Sequence, residues 1–265
     1  MKRSSLSIII AAILISLWYS CQEEQTKTKN ILVVVAHPDD ETGFGSVLAK
    51  FVRLGHTVHL AIAVDGRFSS RSQNQNLDSL AQANKNQAEC SCKKLGISEP
   101  IFYDLISLDR KHGPKDGVRS AVESGVILRE KLKETILQVD PDLIITYGPD
   151  GEYGHPEHII AGSIITELLL REKWVDTYPL YYFGWPKTLE QHNDGWVRYI
   201  DDHYFNVIIN YTEEDEQKAM QSLNCYERMS KKEREEIIQF EAHRENELYF
   251  RKFNIDTSRK TEFWD

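Results

Sequence analysis

"VVVAHPDDETGFGSV", residues 33–47, decides how the chain is read. It closes a continuous apolar run, Ile31 to Ala36, and then places one histidine and three carboxylates in a row: His37, Asp39, Asp40 and Glu41. An unbroken apolar run bounded by polar residues marks a strand buried on both faces of a parallel sheet. The carboxylates repel one another and sit where a helix, predicted over 42–54, begins. The helix dipole offsets about 0.3–1 kcal/mol per charge, so "DDE" taken alone reads as helix capping. A divalent cation would neutralise the cluster and account for His37 as well.

Outward from that stretch, strands and helices alternate. "HTVHLAIAV" (56–64) predicts a second strand, followed by the loop "DGRFSSRSQNQN" and a helix stopped at Leu95 by Gly96. "PIFYDL" (100–105) predicts a third strand, 119–138 a helix ended by Asp140-Pro141, and "DLIITYG" (142–148) a fourth strand. A further helix starts at Pro156, a residue suited to the first helical position. This pattern predicts one α/β domain over 30–265, a three-layer α/β/α fold with a mostly parallel, Rossmann-like sheet of order 3-2-1-4-5. The tail adds "YPLYYFGWP" and "YFNVIINY" as strands, then two charged helices near 212–228 and 231–250.

Bulk properties narrow the class. The chain has 265 residues, 41% apolar and 28% charged, with a net charge of −9. That composition is globular, and the acidic balance excludes a nucleic-acid backbone as partner, which needs a surplus of Lys and Arg. The first 21 residues, "MKRSSLSIIIAAILISLWYSC", show a charged start, an apolar stretch from Ile8 to Trp18 and small Ser20 before Cys21. These are the parts of a secretory signal, and they resemble a lipoprotein signal that leaves Cys21 as the lipidated first residue. Residues 22–29 read as a polar tether. The protein is therefore expected to be exported to the cell envelope and to meet a membrane only through its N-terminal lipid or signal anchor. The sequence fixes no oligomeric state.

Of the remaining cysteines, Cys92 shares an apolar helical stripe with Ala88 and Leu95 and is expected in the core. Cys90, Cys92 and Cys225 lack a second Cys/His pair at zinc-ribbon spacing, and a structural disulfide among them is not expected.

In open parallel sheets, ligands bind beyond the carboxyl ends of strands where strand order reverses. In the order 3-2-1-4-5 that crevice lies between strands 1 and 4. The loop after strand 4, "GPDGEYGHPEH", brings His155, Glu157 and His158 toward His37, Asp39 and Asp40. Two imidazoles and a carboxylate with an open position make a hydrolytic zinc site. Spacing alone does not choose between Asp39 and Asp40, or between His155 and His158. "GFGSVL" lacks the third glycine of a dinucleotide fingerprint, and the acidic turn would repel a pyrophosphate. His56, His59, His112, His192, His203 and His243 belong to no motif. Among Trp174, Trp185, Trp196, Tyr181 and Tyr182, one or two are expected to meet substrate and the rest to fill the core.

"AHPDDE", followed about 115 residues later by "HPEH", resembles the LmbE-like, or PIG-L, family of metal-dependent N-acetylsugar deacetylases. "GEYGHPEH" looks most like members that act on glucosamine conjugates in thiol biosynthesis. The likeness covers roughly residues 29–170. It implies His37, Asp40 and His158 as ligands of Zn²⁺ or another divalent metal such as Fe²⁺. It implies Asp39 as the base that takes a proton from the attacking water, and His155 as support for the oxyanion or acid for the leaving amine. Glu157 stands where the family often has Asp. "DGRFSS" replaces a glycine-rich stretch, with Arg67 as a substrate contact. The implied activity is removal of an N-acetyl group from an N-acetylglucosamine-type sugar. Two other readings use the same residues: a sugar-binding surface lipoprotein without catalysis, and a two-His, one-carboxylate iron enzyme.

Overall fold

The computed structural model describes residues 27–68, 76–108, 117–192 and 197–262. The signal segment, Cys21, most of the tether, His112 and Trp196 lie outside these. The strands are β1 (Asn30–Val35), β2 (Thr57–Val64), β3 (Ile101–Leu105), β4 (Leu143–Tyr147), β5 (Leu180–Pro186), β6 (Tyr199–Ile200), β7 (Val207–Asn210) and β8 (Glu247–Lys252). The helices are α1 (Gly45–Arg53), α2 (Leu77–Leu95), α3 (Gly117–Val139), α4 (Pro156–Arg171), α5 (Glu213–Leu223) and α6 (Lys231–Glu241). The sheet runs β3-β2-β1-β4-β5-β8-β7, with β6 paired to β5. The first five strands are parallel in the expected order; β8 and β7 extend that order with antiparallel pairing.

Strand periodicity divides the core in two. Successive side chains of a strand point to opposite faces. Ile31, Val33 and Val35 pack with Val47 and Leu48 of α1 and with Ala88, Cys92 and Leu95 of α2. Leu32, Val34 and Ala36 pack with Leu128, Leu132 and Ile136 of α3 and with Ala161 and Ile165 of α4. Because β1 faces helices on both sides, it has no polar face, which is why its sequence runs apolar without alternation. Cys92 is in the core, as its stripe predicts. Gly96 adopts φ 78 at the end of α2, the left-handed cap that glycine supplies without a Cβ clash. Gly162 lets α4 lie against the end of β4, since a Cβ there would meet the Tyr147 carbonyl at 2.2 Å.

Three expectations are corrected. Cys90 and Cys225 form a disulfide across 135 residues of chain, joining α2 to the turn after α5. Sequence spacing cannot register a partner so distant, and only the packing of α2 against α5 brings the two together. The last predicted helix stops at Glu241, and Glu247–Lys252 is strand β8, whose Leu248 and Phe250 are buried. Leu248 and Phe250 alternate with Glu247, Tyr249 and Arg251 at period two, a strand pattern that the preceding charged helix obscures. The helix predicted from residue 42 begins instead with a 3₁₀ turn over Asp40–Phe44. No described helix is long and apolar enough to cross a membrane.

Candidate active site

The site forms where β1 and β4 lie side by side and their following loops leave the sheet together. After β1, Asp40 folds its carboxylate back over the strand end. Oδ2 accepts from the backbone N–H groups of Ala36 and His37 at 3.0 and 2.8 Å. This leaves Oδ1 facing His158 Nε2 at 3.1 Å. Asp39, the residue before, has φ 107, a left-handed conformation that a non-glycine residue holds only when its surroundings over-determine it. They do so here: Thr42 donates both its N–H and its hydroxyl to the Asp39 carbonyl, and Tyr147 donates its hydroxyl to the Asp40 carbonyl.

After β4, a short turn containing Glu152 leads to His155, which caps α4. Its Nδ1 accepts the Glu157 N–H at 3.2 Å. A neutral ring bonded this way carries its proton on Nε2, which remains a donor. One turn into the helix, His158 is almost fully buried and stacks on Tyr147 with ring centroids 4.3 Å apart and planes at 7°. Glu157, on the same turn, accepts from Ser107 and from the Leu108 N–H on one oxygen and lies 2.7 Å from His37 Nε2 with the other.

The two loops therefore meet. His37 Nδ1 is 3.3 Å from His158 Nε2, His158 Nε2 is 3.1 Å from Asp40 Oδ1, and His37 Nδ1 is 3.6 Å from Asp40 Oδ2. Ligands at about 2.0–2.1 Å from a tetrahedral zinc ion are separated by about 3.3 Å, so these donors form one face of such a site. The outer contacts match as well. A metal-binding imidazole usually gives its second nitrogen to a carboxylate, and His37 Nε2 gives its own to Glu157. His158 Nδ1 makes no hydrogen bond but points to Glu152 Oε2 at 3.5 Å. The ring nitrogens of His37, His155 and His158 also lie within 4.8 Å of one another. Asp40 is the better third donor, because His155 Nδ1 is already engaged.

The electrostatics of the site favour positive charge on its imidazoles and negative charge on Asp40 and Glu157. Burial lowers the pKa of His37, but Asp40 and Glu157 outweigh it and hold the imidazole well above its ordinary value. Burial raises Asp40, yet the facing imidazoles of His158 and His37 keep it well below the usual carboxylate range. Burial likewise raises Glu157, and the His37 hydrogen bond overcomes it to hold this carboxyl at about 2. Burial, followed by the nearby His37 and His158, pushes His155 down to about 4. Burial lifts Glu152 to about 7, with His158 opposing.

A cavity of about 290 Å³ opens beside these groups, lined by Asp39, Asp40, Thr42, Gly43, Tyr147, Glu152 and Tyr153 and, from the far half of the chain, by Trp185, Ile237, Phe240 and Arg244. Trp185 is thus the aromatic residue of the expected set that reaches the cavity, while Trp174 packs on Tyr178 and the Tyr182 hydroxyl pairs with Thr166. Tyr147, Phe240 and Arg244 carried no motif, and Glu152 and Tyr153 stood in "GEYGHPEH" with no role assigned; for Tyr147 the available signal was a tyrosine ending an apolar strand beside "GPDGEYGHPEH". Arg67 pairs with Asp65 at 2.8 Å and Asp78 at 2.9 Å, outside the residues lining this cavity. Among the unassigned histidines, His56 accepts the Lys29 N–H, and His192 stacks on His243.

Comparison with known proteins bears on this arrangement. A deacetylase of Corynebacterium glutamicum (strain R), "1D-myo-inositol 2-acetamido-2-deoxy-alpha-D-glucopyranoside deacetylase", is 33% identical over 147 residues, 51% of this chain and 50% of that protein. The chain thus spans about half the length of the curated relatives it matches. Among solved structures, the zinc-inhibited form of teicoplanin deacetylase Orf2 superposes with a TM-score of 0.66 at 15% identity, covering 86% of this chain and 100% of that one. The 4-carboxy-2-hydroxymuconate hydratase GalB of Pseudomonas putida KT2440 superposes with a TM-score of 0.63 at 15% identity, covering 89% and 100%. These last two likenesses concern the fold, which evidently serves more than one reaction. The family model described as "PIG-L: GlcNAc-PI de-N-acetylase" matches residues 32–169, more than half of the chain and the segment that holds both loops. The chain belongs to the PIG-L family.

Proposed function

We propose that the protein is a metal-dependent hydrolase that removes an N-acetyl group from an N-acetylglucosamine-type sugar or glycoconjugate. The observation that carries this reading is the convergence of His37 Nδ1, His158 Nε2 and Asp40 on one face with tetrahedral spacing. These three residues would hold the metal, with zinc the first candidate. A divalent ion there supplies two things: a lower pKa for water and polarisation of the acetamide carbonyl. The remaining work falls to the chain. Asp39, at the cavity wall and held in a strained backbone, takes the proton from the attacking water. His155 is neutral near pH 7, so its Nε2–H acts as a hydrogen-bond donor toward the oxyanion. Glu157 orients His37, and Tyr147 and Gly162 fix His158 beneath the pocket.

The relatives' recorded substrate, an acetamido-deoxyglucopyranoside, supports an amino sugar as substrate. Asp39 at the cavity wall supports catalysis over a binding-only surface lipoprotein, since a binder has no need of a base there. Acetate release from a panel of acetylated amino sugars, with and without chelator, tests the proposal. Loss of release with chelator and recovery with zinc is the expected result. Binding of the sugars without acetate release would favour the binding-only reading. Recovery with ferrous iron under oxygen, with oxidised product and no acetate, would favour an iron enzyme.

We further propose export, with residues 1–21 as a signal and Cys21 as the lipidated residue ahead of a 30–265 domain. The Cys90–Cys225 bond supports an oxidising compartment, where disulfides persist. Cell fractionation with mass spectrometry of the mature N-terminus tests this; a cytosolic protein with an intact N-terminus contradicts it.

A further inference from the structure

Glu41 is fully buried and is not among the proposed ligands. One oxygen of its carboxylate, Oε1, accepts two hydrogen bonds, from the Ser91 hydroxyl at 2.5 Å and the Tyr226 hydroxyl at 2.6 Å. Ser91 follows Cys90, Tyr226 follows Cys225, and those two cysteines are joined. One covalent bond therefore sets the spacing between two donors that come from elements 135 residues apart. Their acceptor sits directly after Asp40, in the 3₁₀ turn whose preceding residue, Asp39, is the strained one. A fully buried carboxylate has no water to replace lost partners, so freeing either donor moves the side chain or its backbone. The turn has little room to absorb such movement, because the Asp39 conformation depends on its neighbours.

We propose that Glu41 is a positioning residue for Asp39 and Asp40, held by the two hydroxyls that follow the cysteines of the Cys90–Cys225 disulfide, so that opening this bond weakens metal binding and turnover while the sheet stays folded. The turnover part rests on the hydrolase reading; the metal-binding part does not need it. Cys90 and Cys225 both line a surface groove of about 570 Å³, with Gln87 and Gln221, which gives a small reductant a route to the bond. A dithiol reacts through its thiolate, which attacks one sulfur and breaks the S–S bond. Its second thiol then closes on the mixed disulfide. The cysteines gain two electrons and two protons, and the dithiol leaves as a cyclic disulfide.

The test uses the double variant S91A/Y226F, which keeps the disulfide, together with E41A, E41Q and wild-type protein reduced by a dithiol and checked for two new thiols. Three quantities are read: zinc affinity by competition with a chromophoric chelator, amide hydrogen exchange over residues 39–44, and kcat and KM on an acetamido sugar. Both the double variant and reduced wild type are expected to lose about tenfold in zinc affinity and to exchange faster over 39–44. Their kcat should fall on the order of 10- to 100-fold, as misplacement of a reacting group predicts, with KM little changed. Reduction should add nothing to the double variant. E41Q, which retains an acceptor at the Oε1 position, should restore most of what E41A loses. Unchanged zinc affinity and exchange in reduced, folded wild type would overturn the proposal, and this arm decides if a variant fails to fold. A wild type that turns over no acetamido sugar defeats the hydrolase reading instead, and leaves the zinc and exchange results to decide this one.

Discussion

The two halves of the sheet are built differently and contribute differently to the site. From β1 to α4 the chain is a parallel, doubly wound unit, and it supplies the histidines and carboxylates gathered at the proposed metal position among the described residues: His37, Asp39, Asp40, Glu152, His155, Glu157 and His158. From β5 to β8 the main sheet turns antiparallel through β8 and β7, while the short β6 pairs with β5 in parallel, and the chain supplies a wall: Trp185, Ile237, Phe240 and Arg244. Arg244 stacks over Trp185 at 4.3 Å and donates to the Gly43 carbonyl at 3.0 Å, so the second half grips the 3₁₀ turn of the first from the cavity side. Tyr226 grips it from the opposite side through Glu41. On the proposed reading, the difference separates reaction type, set by the first half, from substrate range, set by the wall of the second. The family match ends at residue 169, inside the first half.

If the division is right, changes at the site residues of the first half abolish chemistry or metal, and changes at the cavity wall of the second tune recognition, with Tyr226 acting on the site through Glu41. The largest effect is expected for Asp39→Asn. Removing a general base costs about 10²–10⁴-fold, or about 3–5 kcal/mol of barrier; steady-state kinetics should show this loss while elemental analysis still finds the metal. His158→Ala should instead purify without stoichiometric metal. Next comes Glu157→Gln, which leaves all three ligands but removes the carboxylate partner of His37. Loss of such a partner costs about 10–100-fold in metal affinity, readable by chelator competition.

A pH dependence sharpens the same point. Metal must displace the proton that Asp40 and Glu157 hold on His37. Zinc affinity should therefore fall as pH drops through the raised folded value of this imidazole, because the ring must be neutral to bind. The stability of the metal-free protein runs the other way. A raised folded pKa gives stability that is complete below the unfolded imidazole value of about 6.5 and is lost as pH rises through the folded value. Chemical denaturation of the metal-free protein across that range checks the sign. The smallest effect is expected for Arg244→Met in the second half: KM changes by more than kcat, and the ranking of acetylated sugars shifts. An Arg244→Met enzyme with wild-type ranking but collapsed kcat would break the division.

Much of this was legible from the chain because parallel-sheet chemistry is local in sequence. An apolar run buried on both faces announces β1, and the crevice rule then places the loops after β1 and β4 together, as the 3.3 Å between His37 and His158 bears out. The ligand roles came from resemblance, since "DD" and "HPEH" each offer two candidates. What could not be read depends on contacts between distant segments. Tyr226 meets Glu41 across 185 residues and Arg244 meets Gly43 across 201, with no periodicity linking them. The Cys90–Cys225 pairing is of the same kind. Glu157 was assigned no role from the sequence, yet its hydrogen bond to His37 sets the orientation of that ring.

The most direct test of the account is anomalous diffraction at the zinc edge from crystals grown with zinc. The account predicts one peak at about 2.0–2.2 Å from His37 Nδ1, His158 Nε2 and an Asp40 oxygen. A peak bound elsewhere, or none under conditions where the protein retains zinc in solution, would contradict it.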